Sequence, residues 1–94
     1  MKYIWTEDTG AGLHFWELAN QHLFHGSFIV ESKGSNQGLL DAVRQLVPKE
    51  GDRYYLAFDI VYDNMDVVNK YLELRELVAV YPKQIVILDI ICFE

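Results

Sequence analysis

The order of patterns along this chain predicts an α/β protein. The expected architecture is a three-layer α/β/α sandwich around a four-stranded, mainly parallel sheet, in the order β-α-β-α-β-α-β. Three observations predict it. Short runs rich in β-branched and aromatic residues alternate with longer amphipathic ones. Polar, glycine-bearing segments separate them. The last run, "QIVILDII" (84–91), is almost unbroken in its apolar character, the pattern of a strand covered on both faces. Strands joined by helices run parallel, and right-handed crossovers then give a doubly wound sheet.

Each element has its own signal. "KYIW" (2–5) is the first strand and gives way to the turn "TEDTGAG". In "AGLHFWELANQHLF" the residues Leu13, Trp16, Ala19 and Leu23 recur at helical spacing, with Gly26 as the stop. "SFIVE" (27–31) is the second strand and "SKGSNQG" the loop behind it. Leu39, Leu40, Val43, Leu46 and Val47 mark the second helix, which Ser35 or Asn36 can cap and Pro48 ends. "KEGD" turns the chain into the third strand, "RYYLAFDIV". Asp63 or Asn64 can cap a third helix carrying Val68, Tyr71, Leu72, Leu74, Val78 and Tyr81, and Pro82 closes it.

Ninety-four residues, 51% hydrophobic and 14% aromatic, fit one globular domain spanning 1–94 and not a disordered chain. Eight basic residues against fourteen acidic ones give a net charge of −6. The basic residues form no run, which counts against autonomous nucleic-acid binding through a basic stripe. A single cysteine, Cys92, allows no internal disulfide, so a reducing compartment, the cytoplasm, is the simpler expectation. No apolar run approaches membrane-spanning length. The final strand ends in "ICFE" with no covering helix after it, so either a homodimer contact or a partner chain covers it, or the chain is the front part of a longer ancestral fold.

In an open parallel sheet, ligands bind outside the carboxyl ends of the strands. The first strand delivers Thr6, Glu7, Asp8 and Thr9 to that rim, and the third delivers Asp59, followed by Asp63 and Asn64. The fold brings Glu7 and Asp59 to one edge although they are far apart in the chain. Mg²⁺ needs only one or two carboxylates beside waters and substrate phosphates, so this rim is a candidate metal site.

The segments "YIWTEDTGAGLHFWELA", "FIVESKGSNQGLLDAV" and "YYLAFDIVYDN" together resemble the Toprim domain of topoisomerases, DnaG-type primases and OLD-family nucleases. The resemblance covers essentially the whole chain in element order. It implies Mg²⁺-dependent phosphodiester chemistry on nucleic acid, with Glu7 and Asp59 as catalytic residues and Asp59 and Asp63 as metal ligands. Val61 stands two residues after Asp59, where that family carries its second aspartate, and Asp63 comes four after it. The metal pair is therefore respaced or lost. Glu94 would belong to a motif that continues beyond "ICFE".

Simpler readings stand beside these. Asp63 and Asn64 suit a helix cap, and Asp66 suits the helix dipole. Lys33, Gly34 and Ser35 lie ahead of a helix N-terminus, the general recipe for phosphate binding, but the loop lacks the Gly-Lys-Ser/Thr ending of a P-loop and reads equally as a plain turn. Asp89 inside "VILDII" is either a rim residue or a paired acid. His14, His22 and His25 lack an acid or cysteine to complete a zinc set. The alternative to a catalytic domain is a non-catalytic interaction or self-association domain, of the kind carried by mobile elements or defence loci.

Overall fold

The computed structural model describes residues 1–60 and 63–91. Its elements are β1 (Lys2–Thr6), α1 (Ala11–Leu23), β2 (Phe28–Ser32), α2 (Asn36–Gln45), β3 (Arg53–Ile60), α3 (Met65–Val78) and β4 (Ile85–Ile91). The sequence expectation of element order holds throughout. The sheet is parallel in all its pairings, with strand order β2-β1-β3-β4.

That order has a physical consequence. The chain leaves β1 toward β2 on one side, then crosses back over β1 to reach β3. Right-handed crossovers in opposite directions place their helices on opposite faces. Accordingly α1 packs on β1 and β2 from one side, while α2 and α3 pack on each other and on the other side. Register separates the faces: Tyr3 pairs with Tyr54 and Trp5 with Leu56, and Tyr54 pairs with Ile85. These side chains, with Phe58, form the main core against Leu39, Leu40 and Val43 of α2 and Val67 and Leu74 of α3. Tyr3 and Tyr54 stack with ring centroids 4.7 Å apart, and Trp5 meets Tyr54 edge-on at 4.9 Å. Phe58, Leu56, Leu39 and Leu74 have no accessible surface.

The α1 face is thinner. Ile4, Ala57 and Ala19 are its buried members, and Asn20 ties the helix to β2 by hydrogen bonds to both the carbonyl and the N–H of Phe28. Leu23, expected on the packed stripe, is 70% exposed, as is Phe15 at 60%, because α1 covers only the β1–β2 half of its face. The helix ends as Gly26, at φ +73°, donates to the carbonyl of Asn20, with His25 also left-handed.

Boundaries follow the caps. Ser35 caps α2 by accepting from the Gly38 N–H at 3.0 Å. The helix stops at Gln45, before Pro48, so Val47 lies beyond it and is 76% exposed. Asn64, not Asp63, caps α3, its side-chain oxygen accepting from the Asp66 and Val67 N–H groups. Tyr81 falls just outside α3 but packs against the core. Among the described residues no helix is long and apolar enough to cross a membrane.

Candidate metal centre

β1 and β3 are neighbours whose following helices go to opposite faces, so the carboxyl ends of these two strands form the topological switch point of the sheet. Glu7 and Asp8 leave β1 there, and Asp59 is the last residue but one of β3. The three side chains are half-buried, and each offers a carboxylate oxygen within 4.8 Å of the others. Oxygens on adjacent corners of a Mg²⁺ octahedron lie about 3 Å apart and opposite ones about 4.2 Å, so the three carboxylates must draw inward to share one ion.

Local structure fixes each member. Thr6 is fully buried, and its hydroxyl accepts from the Asp8 N–H at 3.2 Å, which turns the chain sharply out of β1. The Asp59 N–H donates to Glu7 Oε1 at 3.3 Å, tying the two strand ends together. Glu7 Oε2 is buried and has no hydrogen-bond partner. An orphaned carboxylate oxygen of this kind is costly unless it is protonated or paired with a cation. Asp8 is seated over the first turn of α1, where Gly12 makes room: a Cβ at Gly12 would stand 2.3 Å from Asp8 Oδ2.

The electrostatics agree with the geometry. Burial, then the neighbouring charge of Asp59, pushes the Glu7 carboxyl up to about 7 from its usual 4.5, against a smaller opposing effect of the Asp59 N–H. Asp59 is also raised, by burial first and by the charge of Asp8 second, while a hydrogen bond from Glu7 works the other way. Both shifts favour the protonated form of the pair over two neighbouring charges. No ion pair among the described residues involves Glu7, Asp8 or Asp59.

Of the residues singled out from sequence, Glu7 and Asp59 come together as expected. The carboxylate that joins them is Asp8, and Asp63 is exposed in the turn before α3, outside this group. The missed signal was simple: Asp8 follows Glu7 directly, but two neighbours share a site only if the chain turns between them, and that turn rests on the buried Thr6 hydroxyl. Asp66 belongs to its helix, where it pairs with Lys70 at 2.9 Å.

The loop 32–38 is occupied internally. Lys33 Nζ sits 4.1 Å above the Trp5 ring and 3.7 Å from Glu31, and the Lys33 N–H donates to the Thr6 carbonyl. Gly34, at φ +86°, donates its N–H to the Ser32 hydroxyl, and the Ser35 hydroxyl is the α2 cap. His14, His22 and His25 are exposed. Val61, Cys92 and Glu94 lie outside the described residues, as does the side chain of Asp89. No family model, curated protein or solved structure matches this chain.

Proposed function

We propose that this chain binds a divalent cation of the Mg²⁺ class through Glu7, Asp8 and Asp59 and uses it for chemistry on phosphoryl groups. The observation that carries the reading is the orphaned, buried Glu7 Oε2 within a three-carboxylate cluster at the switch point. Mg²⁺ at such a site keeps part of its coordination shell for waters and phosphate oxygens and neutralises charge developing on a phosphoryl group.

The Toprim-like version makes the substrate a phosphodiester in nucleic acid. In this version Asp8 and Asp59 would hold the cation, leaving Glu7 to take a proton from the attacking hydroxyl or return one to the leaving oxygen. A second version is favoured by charge. At −6, with its basic residues scattered, the chain has little to grip a polyanionic backbone, but a compact phosphodonor needs no such grip. Here the Asp59 carboxylate attacks the phosphorus, the bond from phosphorus to the donor's leaving oxygen breaks, and that oxygen leaves with the electron pair. Asp59 becomes an acyl phosphate. Glu7 and Asp8 then hold the cation, and the Glu7–Asp59 tie positions the acceptor.

Both versions require the cation, and one experiment separates them. The protein is incubated with Mg²⁺ and either single-stranded and duplex DNA or an acyl-phosphate donor, followed by gel electrophoresis and intact-mass measurement. Cleaved DNA that Glu7→Gln abolishes supports the first version. A gain of one phosphoryl group, lost on hydroxylamine treatment and absent in Asp59→Asn, supports the second. No response to Mg²⁺ at millimolar concentration in stability or in either assay would falsify the reading as a whole.

A further inference from the structure

We infer that Lys33 reads the ligand of this site, its ammonium leaving the Trp5 ring to grip a single dianionic phosphate group held on the cation. This role rests on the cation reading of Glu7, Asp8 and Asp59. It adds the class of ligand, a terminal phosphate and not a diester.

Register sets the geometry. Thr6 pairs with Ser32, the last residues of β1 and β2. The ladder runs one step further, because the Lys33 N–H donates to the Thr6 carbonyl at 2.8 Å. The Lys33 backbone therefore stands beside that of Glu7, at about the 4.8 Å spacing of neighbouring strands. Alternation puts Lys33 on the face of Glu31 and Trp5. There its Nζ lies 4.1 Å from the Trp5 ring centre and 3.7 Å from Glu31 Oε2. The Trp5 indole N–H in turn donates to Glu31 Oε1 at 3.3 Å. A lysine one strand away from a buried, partnerless carboxylate oxygen thus does not pair with it. The ring and Glu31 hold the ammonium aside, which leaves Glu7 open to a metal.

The restraint is loose enough to yield. At 3.7 Å the Glu31 contact is longer than a hydrogen bond, and the Glu31 side chain is 44% exposed, so the pair is weak. The flexible stem of a lysine lets the ammonium swing from ring to rim. Charge then selects the ligand. Three ionised carboxylates against one divalent cation leave a net negative charge, which opposes a dianion unless another positive group faces it. The other basic residues are placed elsewhere. Lys2, Lys49, Arg53 and Lys83 lie toward the amino ends of the strands, and Arg44 and Arg75 in the last turns of α2 and α3. Lys70 is tied to Asp66 and Asn36. One lysine suits one phosphate, whereas a nucleic-acid backbone requires several cations.

The test is isothermal titration of the full chain, first with Mg²⁺ and then, at saturating Mg²⁺, with inorganic phosphate or dimethyl phosphate. Expected is phosphate binding that requires Mg²⁺, with dimethyl phosphate about tenfold weaker or worse. Lys33→Met should lower phosphate affinity by about tenfold while Mg²⁺ affinity stays within about twofold of wild type, and Lys33→Arg should recover part of the loss. In a Trp16→Phe background, phosphate should also change the Trp5 emission as the ammonium leaves the ring, and Lys33→Met should remove that response. Mg²⁺ binding with equal phosphate affinity in Lys33→Met and wild type, no phosphate binding, or dimethyl phosphate bound as tightly as phosphate overturns the role of Lys33 and leaves the cation reading standing. Absence of Mg²⁺ binding in the wild type removes both.

Discussion

The backbone N–H of Asp59 donates to Glu7 Oε1 at 3.3 Å, joining the ends of two strands across the seam where the sheet changes direction. This contact leaves the second Glu7 oxygen buried and unpaired and brings two acidic side chains together with a third, Asp8. Such a buried, unpaired oxygen is relieved either by a proton or by a cation.

Cation binding should stabilise the fold. Ligand that binds only the native state at ten times its Kd contributes about 1.4 kcal/mol, which in so small a domain raises Tm by roughly 6–11 °C. Thermal melts in rising Mg²⁺ or Mn²⁺ should show this for wild type and for Asp63→Asn. Asp59→Asn and Asp8→Asn should lose most of it. Equal shifts in Asp59→Asn and wild type would place the ion elsewhere.

The pH dependence follows from Glu7. Its carboxyl is raised from 4.5 to about 7, so the metal-free native state holds a proton that the unfolded chain has already released. The corresponding stability is complete below about 4.5 and is lost as pH rises to about 7. Asp59, raised in the same direction, adds to the slope. Allowing for partial exposure, the metal-free protein should be ~1–2 kcal/mol less stable at pH 8 than at pH 5 from this source. Denaturant titrations should find the slope reduced in Glu7→Gln. Mg²⁺ competes with the same proton, so its affinity should rise through pH 7 with proton release measurable in weak buffer.

Gly12 offers a way to move one ligand without changing its chemistry. A Cβ there would stand 2.3 Å from Asp8 Oδ2 and 2.6 Å from its Cγ, so alanine must displace the Asp8 carboxylate. Alanine is otherwise the better helix former, by up to about 1 kcal/mol. Gly12→Ala should therefore weaken Mg²⁺ binding severalfold, and because Asp8 Cβ also lies 2.7 Å away, the turn between β1 and α1 must shift and the helix-propensity gain should not appear in metal-free stability. Isothermal titration together with metal-free melts separates the two effects, and unchanged affinity would remove Asp8 from the ligand set.

Much of this arrangement was legible in the sequence because periodicity and punctuation agreed. The unbroken β-branched run of β4, the helical spacing in α2 and α3, and the prolines after each of those helices all pointed to alternating strands and helices. Parallel pairing then placed Glu7 and Asp59 on one rim without any knowledge of side-chain direction. Less legible were features set by tertiary contacts. Leu23 reads as part of a packed stripe but is exposed, because strand order, not helix pattern, decides how far α1 reaches across its face. Asp8 over Asp63 as third carboxylate depends on a hydrogen bond to buried Thr6, which no spacing rule encodes.

The cap of α3 gives the last test, because it fixes which residue after β3 is structural. Asn64 Oδ1 accepts from two N–H groups of the first turn, at 3.1 Å from Asp66 and 3.4 Å from Val67. These are donors that a helix cannot satisfy from within. Asp63, one residue earlier, makes neither bond and is exposed. Asn64→Ala should cost about 0.5–2 kcal/mol, whereas Asp63→Ala should change stability by less than ~0.5 kcal/mol. Urea unfolding of the metal-free variants measures both. If Asp63→Ala were the more destabilising, Asp63 would have to hold α3 itself. If instead Asp63→Ala weakened Mg²⁺ binding with no change in metal-free stability, the acid would reach the cation from the turn, as a respaced ligand beside Glu7, Asp8 and Asp59.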